Sequence, residues 1–156
     1  MNEIEMEEKS VEGVRFTMGK SEKLRHRTLV EGLFSKGETL YEYPLRLTWR
    51  IMDVEEMESS FRTGLPPRLG RLQMMITVPK KKLRHAVYRV LMRRRIREAY
   101  RLNRIPLLHS VLDRDNIYLE LAFIYLHKEE SDYFTIEKKM KRLLSKLEDK
   151  LKNKVG

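Results

Sequence analysis

Eleven of the 27 residues from Val78 to Arg104 are Lys or Arg, and only Glu98 opposes them. A stretch that carries 11 − 1 = +10 cannot be folded into an interior, because a buried charge without a partner is too costly. It must lie on the surface and lend the core only a narrow apolar seam. That seam is legible: Tyr88, Met92, Ile96, Ala99 and Asn103 recur at helical spacing. On the same helix Arg89, Arg93, Arg97 and Arg101 recur every four residues, a stripe that drifts slowly around the axis and away from Met92, Ile96 and Ala99. Arg94, Arg95 and Arg104 widen it, and Lys80, Lys81, Lys82 and Arg84 run just ahead of it. Pro106 is expected to close the helix.

The whole chain has 33 basic and 23 acidic residues, so the remainder holds 33 − 11 = 22 of one and 23 − 1 = 22 of the other and is neutral. A near-neutral body with its excess charge on one stretch is suited to meet a polyanion. Like charges four residues apart repel, a cost that a partner's phosphates would relieve. Arg outnumbers Lys on the helix, which favours bidentate phosphate contacts and stacking on unpaired bases. The expected partner is nucleic acid.

A length of 156 residues suggests one domain with a sizeable core. With no cysteine, disulfides and thiolate metal sites are excluded. No apolar run approaches the roughly 20 residues needed to cross a bilayer, and the start of the chain is acidic rather than basic. These features predict a soluble, cytoplasmic protein with no membrane contact. Residues 1–13, with Glu3, Glu5, Glu7, Glu8 and Glu12, read as an acidic disordered tail, and residues 14–152 as a single nucleic-acid-binding α+β domain.

Within that domain Val14, Phe16 and Met18 permit a short extended segment. Ser21 offers a cap for a helix through Leu29, Val30, Leu33 and Phe34, with Gly37 in place to end it after about four turns. Leu45, Leu47, Trp49 and Ile51 alternate with polar residues as a half-buried strand, and Leu72, Met74, Ile76 and Val78 do the same. Between them, residues 53–71 contain Gly64, Pro66, Pro67 and Gly70 and read as a long flexible loop. Asn116 to Leu126 is apolar in both phases, as a central strand is. Asp132 or Thr135 caps a last helix built on Ile136, Met140, Leu143, Leu144, Leu147 and Leu151.

Nothing in the chain resembles a catalytic constellation. His26, His85, His109 and His127 are scattered, and Asp113-x-Asp115, the one compact carboxylate pair, sits before a strand where Asp is an ordinary turn residue. No catalytic residue and no metal ligand is expected from this chain.

Ile76-Thr-Val-Pro-Lys-Lys, His85-Ala-Val-Tyr-Arg89 and Arg93-Arg-Arg-Ile-Arg-Glu-Ala-Tyr-Arg101 together resemble the protein component of bacterial ribonuclease P. Phe16-Thr-Met-Gly-Lys-Ser-Glu-Lys-Leu-Arg25 and Leu29-Val-Glu-Gly-Leu-Phe-Ser-Lys-Gly37 match that family's opening segment and first helix. The family's Arg-Asn-Arg hallmark reads Arg89-Val90-Leu91 here, so the resemblance carries RNA contact to Arg89, Arg93, Arg94 and Arg97 but not to Val90 and Leu91.

The resemblance implies a two-layer α/β sandwich in the order α-β-β-β-α-β-α, with a four-stranded sheet and a left-handed crossover around the basic helix. Glu38 to Tyr41 is the candidate for the fourth strand. It further implies that ribonuclease P RNA performs the cleavage with Mg²⁺, held mainly by that RNA. The protein would support 5′ maturation of precursor tRNA without an obligate protein partner. A leader-binding cleft would take Val30 and Phe34 from the first helix and Arg46, Thr48 and Arg50 from the strand. Aromatic and basic groups along a groove suit single-stranded RNA. Two other classes would use the same helix: a DNA-binding regulator, which needs a neighbouring positioning helix, and a structural ribosomal RNA-binding protein.

Overall fold

The alternation along Leu45–Ile51 commits one side of the strand to the interior and leaves the other for polar groups. In the computed structural model, which describes residues 18–67, 69–114 and 116–155, it becomes β2 (Leu45–Asp53). Antiparallel to it runs β1 (Glu38–Glu42), the fourth strand, with Glu38 opposite Trp49 and Tyr41 opposite Arg46. On the other side of β2 lies β4 (Ile117–Tyr125), also antiparallel, and β3 (Leu72–Thr77) pairs parallel to β4. The sheet order is β1-β2-β4-β3. Flanked on both edges and covered on both faces, β4 is buried at nearly every position, which is why its sequence is apolar in both phases.

Parallel neighbours cannot be joined by a hairpin and need a crossover. Here it consists of α3 (Ala86–Asn103) followed directly by α4 (Ile105–Leu112). Arg71 ties the end of that crossover to the sheet. Its Nη2 donates to the carbonyls of Val111 (2.9 Å) and Arg114, and its Nε to that of Ile117 (3.2 Å). The remaining helices are α1 (Arg27–Lys36), α2 (Val54–Ser59) and α5 (Tyr133–Val155). Asp132 caps α5 by accepting from the Thr135 amide at 2.7 Å, and that bond holds its carboxyl below the usual range.

The strand phases divide the interior in two. Leu45, Leu47 and Trp49 of β2, Leu72 and Met74 of β3, and Leu119, Leu121, Phe123 and Tyr125 of β4 pack against α3, α4 and α5. The opposite phase contributes Met52 and Ala122 to a smaller cluster with Leu24, Leu29 and Leu33 of the α1 region and Met57 of α2.

Three expectations are corrected. Ser21 does not cap α1; it lies in a 3₁₀ turn (Lys20–Glu22). The following chain is held extended because the Leu24 amide bonds the Met74 carbonyl at 2.9 Å, so α1 starts only at Arg27 and has ten residues. Gly37 is extended (φ −76°, ψ 162°), not left-handed. What demands glycine there is proximity, since a Cβ would sit 2.4 Å from the Leu33 carbonyl oxygen and 2.9 Å from that of Trp49.

The 53–71 segment is not all loop. Asp53 accepts from the Glu56 amide at 2.8 Å while Glu56 accepts from the Asp53 amide at 3.4 Å. That capping box starts α2, whose Met57 is buried. The basic helix ends at Asn103, ahead of Pro106 as expected, and Pro106 also sits in the first turn of α4, where a proline without an amide hydrogen is tolerated. The element order is therefore α-β-β-α-β-α-α-β-α. The acidic tail, the Val14–Phe16 extended segment and Asp115 of the carboxylate pair lie outside the described residues.

Candidate nucleic-acid interface

The turn after β3 is built by Pro79, whose carbonyl accepts from the amides of Lys82 (3.0 Å) and Leu83 (3.2 Å). Leu83 is buried and anchors the turn, leaving Lys80, Lys81 and Arg84 exposed and Lys82 half-buried. Along α3 the seam holds as expected for Met92, Ile96 and Ala99, joined by Tyr100, all fully buried; Tyr88 at its start is 43% exposed.

The Arg residues of α3 fall into two groups. Arg89 turns inward, and its Nη1 donates to the carbonyls of Leu83 (2.9 Å) and Arg84 (2.7 Å). Arg95 reaches the Ser131 carbonyl at 2.5 Å. Arg101 grips Glu98 through both nitrogens (2.6 and 3.0 Å), and the pairing holds the Glu98 carboxyl below its ordinary range. Arg104 is 1% exposed and clamps Glu22 at 2.7 and 3.1 Å.

By contrast, Arg93, Arg94 and Arg97 make no hydrogen bond or ion pair with any described residue, and Arg94 and Arg97 are exposed. With Met18, Lys23, Glu98 and Arg101, the latter two line a surface hollow of about 570 Å³. Arg93, Arg94 and Arg97 are thus the cations of α3 that no described residue pairs, and unpaired guanidinium groups of this kind are suited to phosphate.

Of the second set of residues, Phe34 is 45% exposed beside the sheet and Val30 packs half-buried against the smaller core. Arg46 is half-buried, with exposed Tyr41 directly across from it on β1. Thr48 and Arg50, in contrast, lie beneath α1. Thr48 is buried, and Arg50 packs so close to Gly32 that a Cβ there would sit 2.3 Å from its Nη1. Arg50 also faces Glu56 of α2 at 3.7 Å. On this side of the sheet Phe34 and Tyr41 are therefore exposed, with Arg46 half-buried between the strands.

Sequence reasoning missed Tyr41, although an aromatic on a candidate edge strand was visible. It also missed Glu120, which β4 places opposite Arg50 on one side and Gln73 on the other. Glu120 is fully buried, and neither carboxylate oxygen has a hydrogen-bond partner. Burial pushes its carboxyl up to about 7, against the pull of Arg50. A single acid inside Leu119-x-Leu121 of an otherwise apolar strand was the available signal.

The model of the ribonuclease P protein family matches residues 18–148. The ribonuclease P protein components of two Porphyromonas gingivalis strains are each 34% identical to this chain over 132 residues, 85% of this chain and 87% of theirs. The chain belongs to the ribonuclease P protein family. The solved ribonuclease P protein of Staphylococcus aureus has the same fold, with a TM-score of 0.53 at 15% identity over 82% of this chain and 96% of that one. The family's α+β fold with a four-stranded sheet is therefore what the periodicities above build. Among the described residues, no three His, Asp or Glu gather closely enough to hold a metal ion. No described helix is long and apolar enough to cross a membrane.

Proposed function

We propose that this chain is the RNA-gripping subunit of a ribonucleoprotein endonuclease that matures the 5′ ends of tRNAs. The observation that carries the reading is the trio Arg93, Arg94 and Arg97, left without an anion on α3 of a ribonuclease P family member. With the exposed Lys80, Lys81 and Arg84, these groups would neutralise phosphates of the ribonuclease P RNA. The Phe34–Tyr41–Arg46 cleft would take the single-stranded 5′ leader of precursor tRNA, stacking bases on the rings and pairing phosphate with Arg46.

In this reading the RNA subunit performs the phosphodiester hydrolysis with Mg²⁺ that it mainly binds itself. The protein screens repulsion between two polyanions, which also favours metal binding at the junction. Arg89, Arg95, Arg101 and Arg104 are committed to carbonyls or carboxylates of the protein and act as its internal frame. A DNA-reading role lacks support, since α3 follows a strand and a turn rather than a positioning helix.

The deciding experiment is a cleavage assay on precursor tRNA. The purified chain should be inert alone and should stimulate cleavage when combined with its cognate RNA subunit and Mg²⁺. Robust cleavage by the RNA-free protein, surviving removal of contaminating nucleases, would reverse the division of labour.

A further inference from the structure

Beyond the Arg93–Arg97 surface and the leader cleft, the molecule has a third concavity, a groove of about 540 Å³ between the turn that follows β3 and the loop that follows β4. Its first wall carries Lys81, Arg84, His85 and Tyr88, and its second Lys128, Glu129 and Glu130. The volume lies within the roughly 300–1,000 Å³ common for small-ligand clefts, enough for one nucleotide.

Both walls are held by Arg residues of α3. Arg89 fastens the first through the carbonyls of Leu83 and Arg84, and Arg95 fastens the second through that of Ser131. Tyr125 adds to the second wall, its hydroxyl donating to the Glu129 carbonyl at 2.5 Å and lying 2.7 Å from the Ser131 hydroxyl. A groove held from both sides before any partner arrives binds at a lower ordering cost.

Its chemistry is asymmetric. Cations dominate the first wall, and beside them the Tyr88 ring, met edge-on by His85 at 6.1 Å, stands partly exposed at the rim. The carboxylates of Glu129 and Glu130 face solvent on the second wall and would repel phosphate. They can instead accept from the amino and imino groups of a base edge. Such a split suits one nucleotide lying across the groove, and it does not suit a duplex, whose phosphates would meet both walls.

We propose that this groove receives an unpaired nucleotide of the RNA subunit, with its phosphate on Lys81 and Arg84, its base against Tyr88, and its base edge toward Glu129 and Glu130. The proposal rests on the RNA-gripping reading above. It assigns the groove to the RNA subunit and not to the leader because the first wall runs directly into α3, whereas the leader cleft opens on the α1 side of the sheet.

The test is equilibrium binding of the full chain to its cognate RNA subunit over a series of salt concentrations. Tyr88→Ala should weaken binding about tenfold, as loss of one base–aromatic stack does, with the salt slope unchanged. Tyr88→Phe should bind like the parent, and since Tyr88 is partly exposed both variants should fold. If Tyr88→Ala binds normally while Arg93→Ala and Arg97→Ala weaken binding, the groove is not a nucleotide site and the broader reading stands. If the Arg variants are silent as well, the RNA-gripping reading itself fails. Should the Tyr88→Ala defect appear only with leader-bearing precursor tRNA and vanish with a leaderless one, the assignment to the RNA subunit is overturned.

Discussion

On the side covered by α3, α4 and α5, strands β2 and β4 present Leu45, Leu47, Trp49, Leu119, Leu121, Phe123 and Tyr125, all buried. On the side covered by α1 and α2, the same two strands present Arg46, Thr48, Arg50 and Glu120 in the same register. The first side is an ordinary apolar core, where each area removed from water adds stability. The second buries a carboxyl that accepts no hydrogen bond from any described residue, opposite the Arg50 guanidinium, and leaves Phe34 and Tyr41 exposed. One sheet therefore separates the two tasks: stability is concentrated on the large-helix side, while polar groups that a purely stable protein would omit are kept on the side with the cleft.

The largest expected effect tests the apolar side. Phe123→Ala should destabilise the fold by about 3–5 kcal/mol, from lost transfer energy and the cavity left behind. Denaturant titration checks it, and a loss under about 1 kcal/mol would mean that this side does not carry the stability assigned to it.

Next comes Glu120 on the polar side. Burial raises its carboxyl from the ordinary 4.5 to about 7 in the folded state. Between those limits the folded state binds more protons than the unfolded one, so stability is greatest below 4.5, falls as pH rises through the window and levels off above about 7. Glu120→Gln removes the ionisation and should flatten this decline, stabilising the protein by about 1–3 kcal/mol at pH 8 and changing little at pH 4. Unfolding midpoints across pH decide it; a variant that retains the parent's decline would place the titration on another group.

How much of this was legible in the sequence depended on distance along the chain. Period two located β2 and β3, a run apolar in both phases located β4, and the apolar seam located α3, because those signals are local. The Asp53-x-x-Glu56 box is equally local but is outweighed by the nearby glycines and prolines, and Pro106, which follows the end of α3, also stands in the first turn of α4. The division of the Arg stripe was not legible at all. Arg95 is set apart from Arg93 and Arg94 only by a carbonyl 36 residues away, and Arg104 by a carboxylate 82 residues away. Phe34 lies on α1 as helical spacing placed it, while the burial of Thr48 and the packing of Arg50 depend on how closely α1 approaches at Gly32 and Gly37.

The third expectation concerns the outer surface of the large-helix side. Arg93→Ala or Arg97→Ala should weaken binding to the RNA subunit by about 1–2 kcal/mol, the scale of a charge-assisted contact. Each should also reduce the salt slope by about one unit if it removes one phosphate contact. The stability of both variants should stay within about 0.5 kcal/mol, since neither side chain has a hydrogen-bond or ion-pair partner among the described residues. An unchanged slope with weakened binding would show that the loss is not one of phosphate contacts.

The smallest effect is expected at Phe34, and it sharpens the contrast most because it concerns the cleft alone. The ring is 45% exposed, so Phe34→Ala forfeits little burial and should alter stability by only about 0.5 kcal/mol. If the cleft holds the leader, the variant loses one stacking platform and should lower affinity for leader-bearing precursor tRNA by about 1 kcal/mol. Affinity for a leaderless tRNA and for the RNA subunit should not change, because the α3 surface is untouched. Binding of matched substrates with and without a leader, at one salt concentration, separates these terms. An equal loss for both substrates would mean that Phe34 supports the general RNA surface, and the functional separation of the two sides of the sheet would then not hold.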